Sequence, residues 1–232
     1  MDTVSKVQNN QLVLIAGATS AAGVATARQL LNAGARVLVV GSNAARLDER
    51  LGFATARYEC DLADRQAVDD LAEKVHAQHG QIDVLLHLVG GWRGGKSITG
   101  QTDSDWDFLH TNVLTTLRNT TRAFVDDLVA SEAGRLAIIS AQAVTNPTPS
   151  NANYGAVKAA AEHWINAIAR LFSKQAPQAA AVSWVVKALS DKSAGEIPTG
   201  HTSVDTVAQA AVQLLDAAAL MHNGQRLPLA QA

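Results

Sequence analysis

The run Leu12-Val-Leu-Ile-Ala16 leads directly into Gly17-Ala-Thr-Ser-Ala-Ala-Gly23, and a helical stretch continues from there to Asn32. A strand, a glycine turn and a helix start in this order can bind an anion, because the first N–H groups of a helix lack partners and the helix dipole favours negative charge. Gly17 permits the turn, and Gly23 permits close helix–strand packing. A tight strand–helix connection without a ligand would suit the same glycines. If the turn binds phosphate, the predicted contacts are Gly17, Ala18, Thr19, Ser20, Ala22 and Gly23.

Apolar runs and helix-length segments alternate along the rest of the chain. Strands that are apolar throughout and separated by helices indicate a parallel sheet covered on both faces, and right-handed crossovers make it doubly wound. The predicted strands are Leu12–Ala16, Arg36–Val40, Ala56–Cys60, Ile82–Val89, Arg135–Ile139, Ala180–Val186 and Gln225–Leu229. The predicted helices are Ala21–Asn32, Ala63–His79, Asp103–Ser131, Asn153–Phe172 and Val204–Leu220. We therefore predict an α/β protein with about seven strands, a flexible segment over 1–10 and a single domain over 11–232.

The composition excludes several classes of protein. The chain has 232 residues, of which 47% are hydrophobic and 17% charged, so it can build a core and is not disordered. A net charge of −2 with scattered Lys and Arg predicts no nucleic-acid or membrane partner. The lone Cys60 and seven scattered histidines predict no disulfide framework and no metal site. No apolar stretch reaches about 18 residues and no signal peptide is evident, so the predicted location is cytoplasmic.

The end of the second predicted strand carries no acidic residue. An acid there would accept the 2′-hydroxyl of NAD, but the sequence reads Gly41-Ser-Asn43. Ser42 and Arg46 could instead hold a 2′-phosphate, which favours NADP(H) over NAD(H), although Arg46 could equally be a solvated helix residue. After the third predicted strand, Asp61 could accept from an adenine amino group while Leu62 packs on the ring. A helix N-cap at Asp61 or Asp64 is the alternative.

The segment Tyr154-Gly-Ala-Val-Lys158 places a phenol and an ammonium on one face of a predicted helix. A nearby ammonium should lower the pKa of the phenol toward working pH, which would make Tyr154 a general acid or base. Lys158 could also bond a nicotinamide ribose. An ordinary amphipathic pair has the same spacing, so the segment gains its meaning from its place after the fifth strand of a chain with a glycine turn.

From Leu12 to Leu229 the chain resembles the short-chain dehydrogenase/reductase family. The matching features are the glycine turn, CDL at Cys60–Leu62, IDVLL at Ile82–Leu86, Asn112, GRLAIIS at Gly134–Ser140, and Tyr154 with Lys158. The resemblance implies a Rossmann-type fold and hydride transfer with a nicotinamide cofactor. It also implies that Tyr154 donates the proton and that Asn112 holds a water that relays protons to Lys158. From the residues alone, Asn112 could equally be a buried polar group bonded to a backbone carbonyl.

Three segments depart from the family pattern around the cofactor. Ala21 stands where glycine is usual, which costs some room beside the pyrophosphate. The segment after the fourth strand reads His87-Leu-Val-Gly90, in which we predict that Val89 and Gly90 contact the cofactor and that His87 is structural. Lys187-Ala188 replaces a Pro-Gly pair after the sixth strand, which alters the wall beside the nicotinamide.

The largest departure concerns the family serine that bonds the substrate carbonyl. Thirteen residues before Tyr154, its usual spacing, stands Ala141, and Ser140 lies one residue earlier. Neighbouring strand residues face opposite sides, so Ser140 needs a shifted register or a loop of different length to act as a catalytic residue. Either Ser140 has taken that role, or the substrate does not need it.

The second possibility matches one branch of the family. Gly90-Gly-Trp-Arg-Gly-Gly-Lys96 is similar to a segment of dihydropteridine reductases, which also carry alanine at the serine position. Trp92 could stack on a flat heterocycle or anchor its loop. We therefore predict an NAD(P)H-dependent enzyme that reduces a small, planar, conjugated carbonyl or imine, pterin-like or quinone-like. The alternative is a non-catalytic dinucleotide-binding sensor or scaffold.

Two further features predict assembly and access. The helices over Asp103–Ser131 and Asn153–Phe172 are apolar over a wide arc, and the resembling family uses both at its dimer seam. We predict a homodimer or homotetramer. The segment Leu189–Thr202 is a predicted substrate lid.

Overall fold

The computed structural model describes residues 10–192 and 195–231, so most of the predicted flexible segment, 1–9, lies outside the described residues. The strands are β1 Leu12–Ala16, β2 Arg36–Gly41, β3 Ala56–Glu59, β4 Val84–His87, β5 Arg135–Ala141, β6 Ala180–Val186, β7 Leu189–Ser190, β8 Thr202–Ser203 and β9 Arg226–Pro228. The helices are α1 Ala21–Asn32, α2 Ala44–Leu51, α3 Arg65–His79, α4 Asp103–Leu109, α5 Thr116–Ala130, α6 Ala152–Gln175, α7 Val204–Asp216 and α8 Ala219–His222.

Seven strands form one parallel sheet in the order β3-β2-β1-β4-β5-β6-β9. The chain starts at the centre, builds outward on one side and then on the other, as a doubly wound Rossmann-type sheet does. The predicted fold class is confirmed.

Each face of the sheet has its own core. Along β1, Leu12, Leu14 and Ala16 belong to the cluster that includes residues of α3, α5 and α6. Val13 and Ile15 belong to the opposite cluster, with α1, α2 and α7. Because every residue of β1 is buried, the strand needs apolar side chains at all five positions. This explains the continuous apolar run from Leu12 to Ala16.

The long helix predicted over Asp103–Ser131 is interrupted. A π-helical turn, His110–Thr115, separates α4 from α5. At this turn the Asn112 side chain donates to the Phe108 carbonyl at 2.8 Å, and Thr116 Oγ1 donates to the Asn112 carbonyl at 2.8 Å. A π turn inside a helix often marks a functional site, and neither Gly nor Pro announces this one in the sequence.

The C-terminal third also differs from the prediction. Helix α7 ends at Asp216, where the backbone becomes extended at Ala217, and the short helix α8 follows. The segment predicted as a lid begins with the two-residue strand β7 and ends at the first residue of β8, and these two strands pair with each other. Its residues 193 and 194 lie outside the description.

No helix of the described chain is long and apolar enough to cross a membrane. Within the same residues, no cluster of three or more His, Cys, Asp or Glu could hold a metal ion.

Candidate active site

The glycine turn after β1 is built as its sequence requires. Gly17 has φ +79°, and a side chain on it would start 2.8 Å from the Val89 nitrogen. A Cβ on Gly23 would lie 2.5 Å from the Ala18 carbonyl oxygen, so α1 could not approach β1 with any larger residue. Ser20 caps α1 by accepting from the Gly23 N–H at 3.0 Å. The turn therefore places the N-terminus of α1, with its first backbone N–H groups, at the carboxyl edge of the sheet.

A cavity of about 610 Å³ opens beside this turn. We call it the turn-side cavity. Of the predicted cofactor residues, it gathers Gly17, Thr19, Ser20, Ser42, Arg46, Asp61, Leu62, Val89 and Gly90. Ala18 and Gly23 are buried behind the turn.

The turn-side cavity contains a second arginine that the sequence argument missed. Arg50 lies one helical turn after Arg46 on α2, lines the same cavity, and donates to the Thr19 carbonyl at 2.5 Å. The i, i+4 spacing of the two arginines was the available signal. Two guanidinium groups and the Ser42 hydroxyl thus surround one end of the cavity.

Asp61 and Asp64 have separate roles. Asp64 is the N-cap of α3, where its side chain accepts from the backbone of Gln66 and Ala67. Asp61 accepts from the Ala63 N–H at 2.9 Å, and it is exposed at the cavity. The capping alternative therefore belongs to Asp64, and Asp61 remains available to a ligand.

A second cavity, of about 660 Å³, lies under α6 and the loop after β4. We call it the tyrosine-side cavity. Tyr154, Lys158, Trp92, Ala22, Lys187 and Ala188 all line it. Both cavities are lined by Ser20, Leu88, Val89 and Gly90, so they adjoin along these residues, and we call the pair the cleft. At their junction a Cβ on Gly90 would lie 3.8 Å from Lys158 Nζ.

Lys158 is almost fully buried, with 4% of its surface exposed. Its ammonium donates to the Ile139 carbonyl at 2.7 Å and lies 5.9 Å from the centre of the Tyr154 ring. Burial lowers the pKa of Lys158 to about 8, and the Glu162 carboxylate acts in the opposite direction. The pKa of the Lys158 amine therefore lies close to neutral pH.

The expected lowering of the pKa of Tyr154 is not found. Burial of the phenol raises its pKa above the ordinary value. Desolvation penalises the phenolate, and the Lys158 ammonium, already bonded to a carbonyl, does not outweigh it. The Tyr154 hydroxyl is therefore protonated at neutral pH.

Asn112 lines the turn-side cavity rather than the tyrosine-side cavity. Its side chain is bonded to the Phe108 carbonyl, which is the structural alternative that the residues alone had left open. The Asn112 carbonyl accepts from Thr116. The proposed water relay to Lys158 stays a prediction.

His87 is fully enclosed at the end of β4. Its Nε2 lies 3.2 Å from Thr116 Oγ1 and its Nδ1 lies 3.1 Å from Thr120 Oγ1. Burial, with a smaller contribution from Lys158, lowers the pKa of His87 to about 3. Both ring nitrogens are engaged and the ring is neutral, which agrees with the predicted structural role.

Ser140 does not reach the cleft. Its side chain is completely buried and donates to the Glu162 carboxylate on α6. The neighbouring Ile139 lines the tyrosine-side cavity, so the ordinary strand alternation holds and no register shift occurs. The prediction of Ser140 as a catalytic residue is corrected on this point: the side chain faces α6, not the reacting end of the cleft.

Trp92 packs on its own loop and is exposed at the cavity, and its stacking on a heterocycle stays a prediction. Its indole packs over Gly94, where a Cβ would lie 2.7 Å from Cζ2, so the ring anchors its own loop. It is also 64% exposed and lines the tyrosine-side cavity. A large apolar surface is therefore presented to whatever enters beside Tyr154.

The cleft has groups that suit a nicotinamide dinucleotide. The start of α1 has N–H groups that can bind phosphate, the arginines of α2 supply positive charge at one end, and Tyr154 with Lys158 supplies a hydroxyl and an ammonium at the other. When bound, such a cofactor provides a hydride.

Known proteins resemble the chain in sequence and in fold. A family model described as short chain dehydrogenase matches residues 11–185. Among curated relatives, the uncharacterized oxidoreductase YvrD of Bacillus subtilis is 31% identical over 65% of this chain. The 2,3-dihydro-2,3-dihydroxybenzoate dehydrogenase of the same species is 26% identical over 65% of this chain. The matched regions span 58% and 60% of those proteins.

The fold has close structural neighbours. The NADPH-bound structure of a short-chain oxidoreductase from Pseudomonas aeruginosa PAO1, which contains an atypical catalytic center, superimposes with a TM-score of 0.82. That comparison covers 94% of this chain and 95% of the other at 18% identity. The narrower resemblance to dihydropteridine reductases stays a prediction. The family match across most of the sequence confirms the predicted oxidoreductase family: the chain belongs to the short-chain dehydrogenases.

Proposed function

We propose that this chain is an NAD(P)H-dependent oxidoreductase in which Tyr154 donates the proton. One observation carries the proposal: Tyr154 and Lys158 line a cavity that adjoins the glycine turn. A cofactor whose phosphates lie at the start of α1 would extend along this cleft toward Tyr154.

The electrostatics suit reduction. A phenol with a raised pKa is protonated at neutral pH and can act as a general acid. The Lys158 ammonium lies close enough to stabilise the phenolate left after proton donation, and it can bond the ribose of a bound cofactor. The apolar residues around them, such as Leu88, Val89 and Ile139, limit water at the reacting end.

The test is turnover of NADPH with a panel of carbonyl compounds, quinones and pterins, run with Tyr154→Phe. The wild-type chain should oxidise NADPH with at least one acceptor, and the variant should bind NADPH but turn over slowly. If the variant matched the wild type, Tyr154 would not be the proton donor.

For the cofactor, we propose a preference for NADPH over NADH. Ser42, Arg46 and Arg50 surround the end of the turn-side cavity, and no acid stands at the end of β2 to accept a 2′-hydroxyl. The P. aeruginosa neighbour binds NADPH, which fits this assignment. Titration of both cofactors against the wild type and an Arg46→Ala/Arg50→Ala double variant tests it. The variant should lose affinity for NADPH but not for NADH, whereas equal or tighter NADH binding by the wild type would contradict the proposal.

For the substrate, we propose a planar, conjugated ring of the pterin or quinone type. Ala141 and the inward-facing Ser140 leave β5 without a hydroxyl for a substrate carbonyl, and Trp92 offers a flat surface. An electron-poor ring needs less help of that kind than a simple ketone. Rapid oxidation of secondary alcohols, with no reduction of quinones or pterins, would overturn this.

A non-catalytic dinucleotide sensor is the second candidate, and the buried position of Ser140 is the observation that favours it. The two candidates separate cleanly. A sensor binds NADPH and shows no turnover with any acceptor, and Tyr154→Phe then changes nothing.

We also propose self-association into a homodimer or homotetramer through α6. This helix presents small exposed residues, Ala156, Ala159 and Ala160, on the side away from the sheet. Light scattering at micromolar concentration tests the assembly, and a monomer would contradict it.

A further inference from the structure

A polar cluster joins α6, β5 and β9 one helical turn after Lys158. We call it the Glu162 cluster; it consists of Glu162 on α6, Ser140 on β5 and Arg226 on β9. Glu162 is 6% exposed and Ser140 is fully buried. None of the three lines either cavity of the cleft. Burying the Glu162 carboxylate costs free energy unless hydrogen bonds or an opposite charge offset the loss of water.

The carboxylate of Glu162 is held from two strands. Ser140 Oγ donates to its Oε1, and Arg226 Nε lies 2.8 Å from Oε2 and 3.0 Å from Oε1. Arg226 also donates from Nη2 to the Ala141 carbonyl at 3.3 Å. These bonds tie the C-terminal strand β9, the end of β5 and the middle of α6 into one unit. The hydroxyl of Ser140 thus helps to hold the Glu162 carboxylate in place.

Glu162 follows Lys158 by one helical turn, which brings the two side chains to the same face of α6. Lys158 is enclosed, and its hydrogen bond goes to a neutral carbonyl, that of Ile139. The other titratable groups that face it are Tyr154 on α6 and His87 on β4. The phenol and the imidazole are both neutral, so neither supplies a charge that offsets the ammonium. A buried ammonium in these surroundings requires a negative charge nearby, and Glu162 supplies it.

We propose that Glu162, fixed by Ser140 and Arg226, is a positioning residue that acts as the counter-charge of Lys158 and keeps its ammonium protonated at working pH. The proposal rests on the proposed function only for its effect on turnover. The effect of Glu162 on the protonation of Lys158 applies to the chain without cofactor or substrate.

The direct test is NMR titration of the lysine side chains in the full-length chain, with the Lys158 signal assigned by comparison with Lys158→Met. In Glu162→Gln the titration midpoint of Lys158 should fall by about one pH unit. Glu73→Gln is the matched control, since it removes the same charge from an exposed position on α3. An unchanged Lys158 midpoint in Glu162→Gln, or an equal fall in Glu73→Gln, would overturn the proposal.

Removing Glu162 alone leaves the partly exposed Arg226 guanidinium without its partner, which can lower the stability of the chain. Glu162→Gln combined with Arg226→Met removes both charges, and the midpoint should fall by less than in Glu162→Gln, because the repulsive charge of Arg226 is lost as well. Glu162→Asp keeps the charge and should return the midpoint toward the wild-type value. A Glu162→Asp chain in which Lys158 titrates as it does in Glu162→Gln would also refute the assignment.

Kinetics separates this inference from the proposed function. In Glu162→Gln the alkaline limb of the kcat profile should move to lower pH by the same amount as the NMR midpoint. If the Lys158 midpoint falls in Glu162→Gln while Tyr154→Phe remains fully active, Glu162 is the counter-charge but Tyr154 is not the proton donor. If Tyr154→Phe is inactive while the Lys158 midpoint is unchanged in Glu162→Gln, Tyr154 is the proton donor but Glu162 is not the counter-charge.

Discussion

The two cavities of the cleft are built by different means. The turn-side cavity owes its phosphate-binding end to local features, namely a glycine turn, two helix caps and side chains of α2, and residues after β3 and β4 complete its wall. The tyrosine-side cavity depends on contacts between residues far apart in the chain, including Lys158 with Ile139, His87 with Thr116 and Thr120, and Glu162 with Arg226.

This difference is also electrostatic. The turn-side cavity has exposed guanidinium groups, Arg46 and Arg50, whose charge is available to a ligand and screened by salt. In the tyrosine-side cavity the cation is buried, and its protonation depends on the surrounding groups. Substitutions at the first should change binding, whereas substitutions at the second should change rate and pH dependence.

The sharpest separation is expected from Tyr154→Phe. Loss of the proton donor should lower kcat by about 10²- to 10⁴-fold, while NADPH affinity stays within about twofold of the wild type. Stopped-flow measurement of NADPH oxidation, together with a binding titration, gives both values. A parallel loss of affinity would mean that the two cavities do not act separately.

A second effect concerns His87 and the stability of the tyrosine-side cavity. The folded-state pKa of about 3 lies below the unfolded value of about 6.5, so between these values the unfolded chain binds the additional proton. Stability should therefore fall as the pH is lowered, and His87 should account for roughly 3 kcal/mol of the loss between pH 7 and pH 4.

Urea unfolding of His87→Asn at both pH values checks this, with His163→Asn on the exposed side of α6 as the control. The free energy of unfolding of the His87 variant should depend less on pH, and that of the control should follow the wild type. Identical pH dependence in all three chains would show that His87 is not the buried neutral group described here.

In the turn-side cavity, Gly23→Ala should destabilise the chain by about 1–3 kcal/mol and weaken NADPH binding. The added carbon would lie 2.5 Å from the Ala18 carbonyl oxygen, so α1 must move. Ala21→Gly, which restores the usual family residue, should change stability by about 1 kcal/mol or less. Thermal unfolding and a binding titration measure both, and a Gly23→Ala chain with normal affinity would contradict the packing argument.

The smallest effect is expected at the cap of α2. Asn43 accepts from the Arg46 N–H at 2.9 Å, and Asn43→Ala should cost about 1 kcal/mol of stability. Because the cap orients the turn that carries Arg46, NADPH affinity should fall slightly and NADH affinity should not. A chemical denaturation curve and paired titrations decide the point, and an equal change for both cofactors would argue against a 2′-phosphate site there.

The same contrast explains what the sequence could predict. Strands such as β1 and β6 were predicted with their observed limits, because continuous apolar runs between helices have few other uses. Gly17, Gly23 and Ser20 were identified because the positive φ of Gly17 and the contacts of Gly23 and Ser20 arise within the turn itself.

The tyrosine-side cavity was less predictable for a physical reason. Strand alternation gave the side to which Ser140 points, but its partner Glu162 lies 22 positions later and is held in turn by Arg226, and no local pattern records that pairing. Burial of Tyr154, which raises its pKa, likewise follows from packing and not from the spacing to Lys158. The π turn at Asn112 left no Gly or Pro signal.

The most direct test is a crystal structure of the chain with NADPH. The structure should show the 2′-phosphate between Arg46 and Arg50, the pyrophosphate at the start of α1, and the nicotinamide ring facing Tyr154 with its ribose bonded to Lys158. A cofactor whose nicotinamide lies away from Tyr154, or an electron-density map without cofactor at saturating NADPH, would contradict the claim that this one cleft delivers both hydride and proton.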